Sequence, residues 1–224
     1  MTKRPALQAL IFDLDGTLID SLADLSNAVN AMLQERGHPT HDFETYTQFI
    51  GDGVRQLIQR ALPPSHRHEA AIDEALSSYQ AHYAQHWNRL TRPFAGIPEA
   101  LQQLKAQGLR LGCISNKPDH FTQLCCAHFF PEKPFEVVFG QREGVPRKPD
   151  PAGGLEAAAL MGLEPAACGY VGDSGIDMEF AQACGMLAIG VTWGFRSCEE
   201  LTQCGAQLLL NEPAELAHRL SNSR

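Results

Sequence analysis

Asp13 and Asp15 stand two residues apart in the run Leu10-Ile11-Phe12-Asp13-Leu14-Asp15-Gly16-Thr17. Two carboxylates so spaced suit phosphoryl transfer through a covalent step. The first can attack phosphorus in line. The second can protonate the leaving alkoxide and then deprotonate the water that hydrolyses the acyl phosphate. Asp173 and Asp177, in Val171-Gly172-Asp173-Ser174-Gly175-Ile176-Asp177, would bring two more acids to the same edge. Like charges about 4 Å apart cost about 4 kcal/mol per pair at an effective dielectric of about 20, so a stable chain needs a cation among them. Mg2+ fits, being hard, oxygen-seeking and commonly held by one or two carboxylates plus substrate phosphate. Lys148, in Arg147-Lys148-Pro149-Asp150-Pro151, offers a fixed positive charge, and Ser115 and Asn116 offer neutral donors for phosphate oxygens. Taken singly, each is ordinary loop chemistry, since Asp-Gly marks turns and Asp before a helix is a common N-cap. Their conjunction is what points to a reaction.

Such residues converge only if the right elements carry them. Leu7–Phe12, Leu109–Ile114, Phe135–Phe139, Cys168–Val171, Leu187–Val191 and Ala206–Leu210 read as short, predominantly apolar strands. Between them, Pro98–Gln107, a segment around Phe121–His128, Ala152–Met161, Ile176–Cys184 and Glu212–Leu220 read as helices. Apolar strands alternating with helices predict a doubly wound parallel sheet covered on both faces. In such sheets ligands bind beyond the carboxyl ends of the strands, where the acids, Ser115 and Asn116 fall. From Asp20 to about Leu90 the pattern is helical, with stripes at Leu22/Leu25/Val29/Met32/Leu33, Val54/Leu57/Ile58/Ala61/Leu62 and Ile72/Leu76/Tyr79/Tyr83/Trp87. Ser21 is a candidate N-cap for the first of these helices. The expected organisation is an α/β unit at 1–18 and 93–224 with a helical insert at 19–92.

Length and composition set the outer limits. The 224 residues suffice for one or two domains with their own cores, without disulfide or metal staples. With 18 Lys and Arg against 26 Asp and Glu, the formal charge is −8, which argues against general binding to nucleic acid or anionic membranes. No apolar run approaches the ~20 residues of a membrane span. The basic start Met1-Thr2-Lys3-Arg4-Pro5 is followed by an apolar run too short for a signal sequence, so a cytoplasmic protein is expected. Seven cysteines, with no Cys-x-x-Cys, read as reduced thiols. Neither a Walker A run nor G-x-G-x-x-G is present, so P-loop and dinucleotide folds lack support. His82 and His86 have no third ligand nearby and read as an exposed helix face, and Tyr79, Tyr83 and Trp87 read as packing.

Together, DLDGTLIDS (13–21), ISN (114–116), RKPDP (147–151) and YVGDSGIDMEFAQACGM (170–186) resemble the four motifs of the haloacid dehalogenase superfamily, in order and along the whole chain. That resemblance implies a Rossmann-like core with a helical cap inserted after the first strand. It implies Asp13 as nucleophile, Asp15 as acid/base, and Thr17, Ser115, Asn116 and Lys148 as groups that hold phosphate or order the loops. It implies Mg2+ on the Asp13 carboxylate, the Asp15 main-chain carbonyl and Asp173, with Asp177 in support. Asp15 argues against a true dehalogenase, which lacks that acid. The runs IGDGVRQLIQRAL (50–62), TRPFAGIPEAL (91–101), SNKPDHF (115–121) and VTWGF (191–195) are most similar to the phosphoglycolate phosphatase branch. The expected partner is therefore a small phosphorylated metabolite, 2-phosphoglycolate first, and the expected assembly a monomer or homodimer. A sugar-phosphate or amino-sugar-phosphate phosphatase, or a phosphoglucomutase-like enzyme, would use the same chemistry. A phospho-acceptor signalling domain also uses an Asp cluster, Thr and Lys, but the long cap and Asp15 count against it. In the cap, Gly51-Asp52-Gly53 opens the helix bearing Arg55. Arg55 is there either a bidentate reader of the substrate carboxylate or a solvated helix residue.

Overall fold

The computed structural model describes residues 5–220; the basic run 1–4 lies outside them. Strand β1 (Ala9–Phe12) leads into the first acidic loop, and a two-residue strand, β2 (Ile19–Asp20), follows. Four helices come next: α1 (Leu22–Glu35), α2 (Phe43–Phe49), α3 (Val54–Ala61) and α4 (Glu69–His86). The chain returns through β3 (Arg92–Pro93), which pairs antiparallel with β2 in the register Ile19↔Pro93 and Asp20↔Arg92. Asp24 braces this crossing, accepting from the N–H groups of Leu90 and Thr91 and from the Thr91 hydroxyl.

Helix α5 (Ile97–Ala106), β4 (Arg110–Pro118), α6 (Asp119–Phe129), β5 (Val137–Gln141), α7 (Ala152–Leu160), β6 (Cys168–Gly172), α8 (Gly175–Cys184), β7 (Leu187–Val191), α9 (Cys198–Gln203), β8 (Leu208–Leu210) and α10 (Ala214–Arg219) complete the fold. The main sheet runs β5-β4-β1-β6-β7-β8 and is parallel throughout. The doubly wound parallel sheet expected from the sequence is therefore present. Along β1 the side chains alternate: Leu10 and Phe12 enter one apolar cluster, Ala9 and Ile11 the other. Both faces are thus buried, which is why the strand reads as continuously apolar. The four inserted helices close on a third cluster of their own, built around Val29, Met32, Tyr46, Ile58, Ile72 and Tyr83.

Several boundaries differ from the sequence reading. Strand β4 runs on through Ser115, Asn116 and Lys117 to Pro118, past the expected end at Ile114. Helices α2 and α9 were not expected. Both carry local caps: Thr45 N–H donates to Asp42 Oδ1 at 2.8 Å, and Glu200 N–H to Ser197 Oγ at 3.2 Å. Ser21 occupies the N-cap position of α1 but makes no cap bond, because its hydroxyl donates to Asp15 Oδ1 at 2.6 Å instead. All seven cysteines are free thiols.

Candidate active site

Strands β1, β4 and β6 lie side by side at the centre of the sheet, and their carboxyl ends deliver Asp13, Ser115 and Asp173 to one place. Gly16 lets the first loop pass close to Asp173: with φ +87°, it stands where an added Cβ would meet Asp173 Oδ2 at 2.3 Å. Helix α8 starts beside this point. Its capping box has the Ser174 N–H and hydroxyl donating to Asp177 Oδ2, so Asp177 is fixed at the first turn.

Asp13, Asp173 and Asp177 each offer an oxygen within 4.8 Å of the others, and all three are buried. Lys148 reaches into the same space, 3.0 Å from Asp13 Oδ1 and 2.8 Å from Asp177 Oδ1. It also donates to the Tyr170 hydroxyl at 2.8 Å, and that hydroxyl donates onward to the Ile114 carbonyl. Burial alone would favour a neutral amine here, but Asp13 and Asp177 outweigh it and raise the Lys148 pKa. One ammonium does not neutralise three acids. Burial pushes Asp13 up to about 6, against the opposing pull of Lys148, and pushes Asp173 up to about 8 with Asp177 and Asp13 adding to the rise. An all-oxygen donor set that resists ionising together fits a hard divalent cation, whose charge would reverse both shifts.

Each acid has a distinct posture. Asp13 Oδ1 accepts the Leu14 N–H at 2.7 Å and faces Lys148, while no donor among the described residues reaches Oδ2. Asp173 Oδ1 accepts from the Thr17 hydroxyl at 2.9 Å and Oδ2 from the Phe195 N–H at 2.8 Å. Asp177 is fully engaged by Ser174 and Lys148, so it orients the lysine. Asp15 points elsewhere: its carboxylate lies between the Ser21 hydroxyl and Lys117, whose ammonium is 3.0 Å from Oδ1. The carboxylate is outside the three-acid cluster, so only the Asp15 main-chain carbonyl is left for the metal role the resemblance assigns it.

The remaining expected residues separate by role. Ser115 lines the cavity beside Asp13. Thr17 is fully buried and its hydroxyl donates to Asp173, which matches the loop-ordering half of its expected role. Asn116 was expected to donate to phosphate. Its amide instead donates to the carbonyls of Gly51 and Lys148, and its Oδ1 accepts the Lys148 N–H at 2.9 Å. Arg55 is not brought to the cavity, because Glu69 and Asp73 on α4 hold its guanidinium at the surface. Of the two readings of Arg55, the geometry matches the solvated one.

Three groups went unassigned in the sequence. Lys117 follows the Ser-Asn pair at the strand end, yet only the structure shows that it faces Asp15. Burial works against its charge, and Asp15 more than compensates, raising its pKa. Arg147 and Arg196 hold the insert. Arg147 Nη1 donates to the Asp52 carbonyl at 2.9 Å, while Arg196 donates to Gln48 Oε1, the Gln48 carbonyl and the Ile50 carbonyl. With Asn116 on Gly51, carbonyls 48, 50, 51 and 52 are all gripped from the sheet side. The cavity thus formed is lined by Asp13, Asp15 and Lys117 below and by Leu57, Tyr79 and Tyr83 above.

Residues 10–191 match a family model described as haloacid dehalogenase-like hydrolase. The chain belongs to the haloacid dehalogenase-like hydrolases. Among curated members of this hydrolase family, a phosphoglycolate phosphatase of Thiobacillus denitrificans is 35% identical over 214 residues, 94% of either chain. Phosphoglycolate phosphatase 1 of Pseudomonas aeruginosa is 33% identical over 219 residues, covering 96% of this chain and 79% of its own. A crystal structure from Lactobacillus delbrueckii subsp. bulgaricus, provisionally named a phosphoglycolate phosphatase, superposes with TM-score 0.91 at 29% identity, over 98% of this chain and 100% of that one. As such a hydrolase, the chain is a phosphoric monoester hydrolase. No helix among its described residues is long and apolar enough to cross a membrane.

Proposed function

We propose that this hydrolase is a Mg2+-dependent phosphomonoesterase that works through an aspartyl-phosphate and takes 2-phosphoglycolate as substrate. The observation that carries the reading is Asp13 Oδ2, which no donor among the described residues reaches, in a buried cluster of one ammonium and two further acids, with Asp15 lining the same cavity as Asp13. Similarity to relatives named phosphoglycolate phosphatase supports the choice of substrate.

Asp13 Oδ2 attacks phosphorus as the ester bond breaks, and the leaving glycolate oxygen takes a proton from Asp15. Asp15 then accepts a proton from water as the water oxygen attacks the acyl phosphate. Phosphate departs and the Asp13 carboxylate is restored. Lys148, anchored by Asp177 and Tyr170, neutralises charge on the phosphoryl oxygens, and Ser115 donates to them. Asp13 and Asp173, with the Asp15 carbonyl, would hold Mg2+, which would supply electrostatic stabilisation and alignment. Residues 19–92 act as a cap, closed by the Arg147, Arg196 and Asn116 contacts, that keeps bulk water from the intermediate. The enzyme is expected to work in the cytoplasm as a monomer or homodimer.

The test is a steady-state screen over small phosphomonoesters, with Mg2+ and with chelator. Phosphate release that requires Mg2+ and is most efficient with 2-phosphoglycolate is the expected result. Full activity in excess chelator removes the metal assignment, and a clear preference for a sugar phosphate removes the substrate.

A further inference from the structure

Three buried polar side-chain atoms among the described residues lack any hydrogen-bond partner: Ser26 Oγ, Arg142 Nε and the Tyr83 hydroxyl. Of these residues only Tyr83 lines the cavity that holds Asp13 and Asp15. It is 1% exposed, on helix α4. Two polar neighbours on the wall are already paired, Lys117 with Asp15 and Asn116 with Gly51 and Lys148. Native proteins pair nearly all such buried groups, and one left unpaired at a cavity wall needs a reason.

The ring is held in place. Tyr79 stacks on one side with centroids 5.5 Å apart, and Phe121 meets it edge-on at 4.9 Å. The hydroxyl cannot swing to an internal acceptor without breaking both contacts. Lys117 Nζ lies over the face of the ring, 4.9 Å from its centroid. Burial raises the Tyr83 pKa well above the ordinary phenol value, so the group keeps its proton and is a donor.

We infer that the Tyr83 hydroxyl donates a hydrogen bond to the carboxylate of a phosphorylated carboxylic acid in this cavity, making Tyr83 a substrate-binding residue that selects for that carboxylate. The inference rests on the phosphoglycolate reading above. A buried donor waiting for an acceptor penalises any substrate lacking one, because its O–H then stays unpaired. Tyr83 thereby takes up the selectivity that Arg55, bound at the surface, is not placed to give.

The experiment compares wild type with Tyr83→Phe, a variant that removes one oxygen and keeps the ring contacts. The kcat/KM ratio of 2-phosphoglycolate to p-nitrophenyl phosphate should fall about tenfold, equivalent to about 1.4 kcal/mol. The Tm of the ligand-free variant should be unchanged or higher, since an unsatisfied buried group has been removed. A general packing role would lower Tm and depress both substrates together. A preserved ratio with wild-type activity on phosphoglycolate intact overturns the tyrosine assignment alone, as does a marked fall in Tm. A wild-type enzyme inactive on phosphoglycolate overturns both this inference and the proposed substrate.

Discussion

The main-chain N–H of Phe195 donates to Asp173 Oδ2 at 2.8 Å. The next residue, Arg196, donates to the carbonyls of Gln48 and Ile50 in the cap. One short loop after β7 therefore orients a candidate metal carboxylate and grips the cap. Asn116 repeats the arrangement on the other side of the site, binding both the Lys148 main chain and the Gly51 carbonyl. Both contacts tie the four-helix insert to residues that flank the acid cluster.

Removing Arg196 should loosen the closed state while leaving Asp173 in place, since the Phe195 bond is main-chain. Arg196→Ala should lower kcat/KM roughly five- to thirtyfold, for about 1–2 kcal/mol of lost closed-state preference. Amide exchange over residues 48–53 should speed up in parallel. Unchanged kinetics together with unchanged exchange would show that the arginine does not hold the cap.

The two carboxylates of the first loop should separate by mass spectrometry. Asp13→Asn removes the nucleophile and should leave no phosphoenzyme with any substrate. Asp15→Asn should still accumulate some from p-nitrophenyl phosphate, whose leaving group needs little acid assistance. Near-wild-type turnover by Asp13→Asn, with deamidation excluded, would move the nucleophile elsewhere.

The acid cluster makes a signed pH prediction. The folded, metal-free protein holds Asp173 at about 8 and Asp13 at about 6, both above the ordinary 3.8. A raised carboxyl contributes stability that is present at low pH and is lost as pH climbs from about 4 through those values. Metal competes with the same protons. The gain in Tm from Mg2+ should therefore be larger at pH 8.5 than at pH 6, as read by calorimetry in chelator and in Mg2+. Equal gains at both pH values would mean that Asp173 is not a ligand. Asp173→Asn should shrink the gain at pH 8.5 for the same reason.

Arg55→Ala should alter neither substrate ratio nor KM by more than about twofold, because exposed ion pairs contribute little. A selective loss on phosphoglycolate, measured against p-nitrophenyl phosphate, would restore Arg55 as the carboxylate reader in a conformation other than this one.

The positions of Asp13, Lys148 and Asp173 were legible because each follows an apolar strand or precedes a helix, and topology gathers strand ends. What each donor would face was not legible. Thr17 and Asn116 have the right atoms for phosphate, but their acceptors, Asp173 and the Gly51 and Lys148 main chains, are 156, 65 and 32 residues away. Arg55 failed similarly: nothing within α3 shows that Glu69 and Asp73, one turn apart on α4, will meet it. Helix α9 was available in principle, since Ser197-x-x-Glu200 is a capping pattern, but its six residues carry little periodic signal. In Tyr83 the helical stripe correctly signalled packing, yet periodicity places the ring and says nothing of the hydroxyl.

The antiparallel pairing of Ile19–Asp20 with Arg92–Pro93 has a consequence for how such an enzyme can change over generations. Both ends of the 70-odd-residue insert leave the sheet side by side, about 5 Å apart as paired strands are. A segment anchored at two adjacent points can be lengthened, shortened or exchanged without shifting any strand of the sheet. The chain is built as a socket with a separate fitting, the sheet carrying the acid cluster and the insert packing on a core of its own. Grafting residues 21–91 from a relative of different substrate preference, through this ribbon, would read directly whether preference travels with the insert.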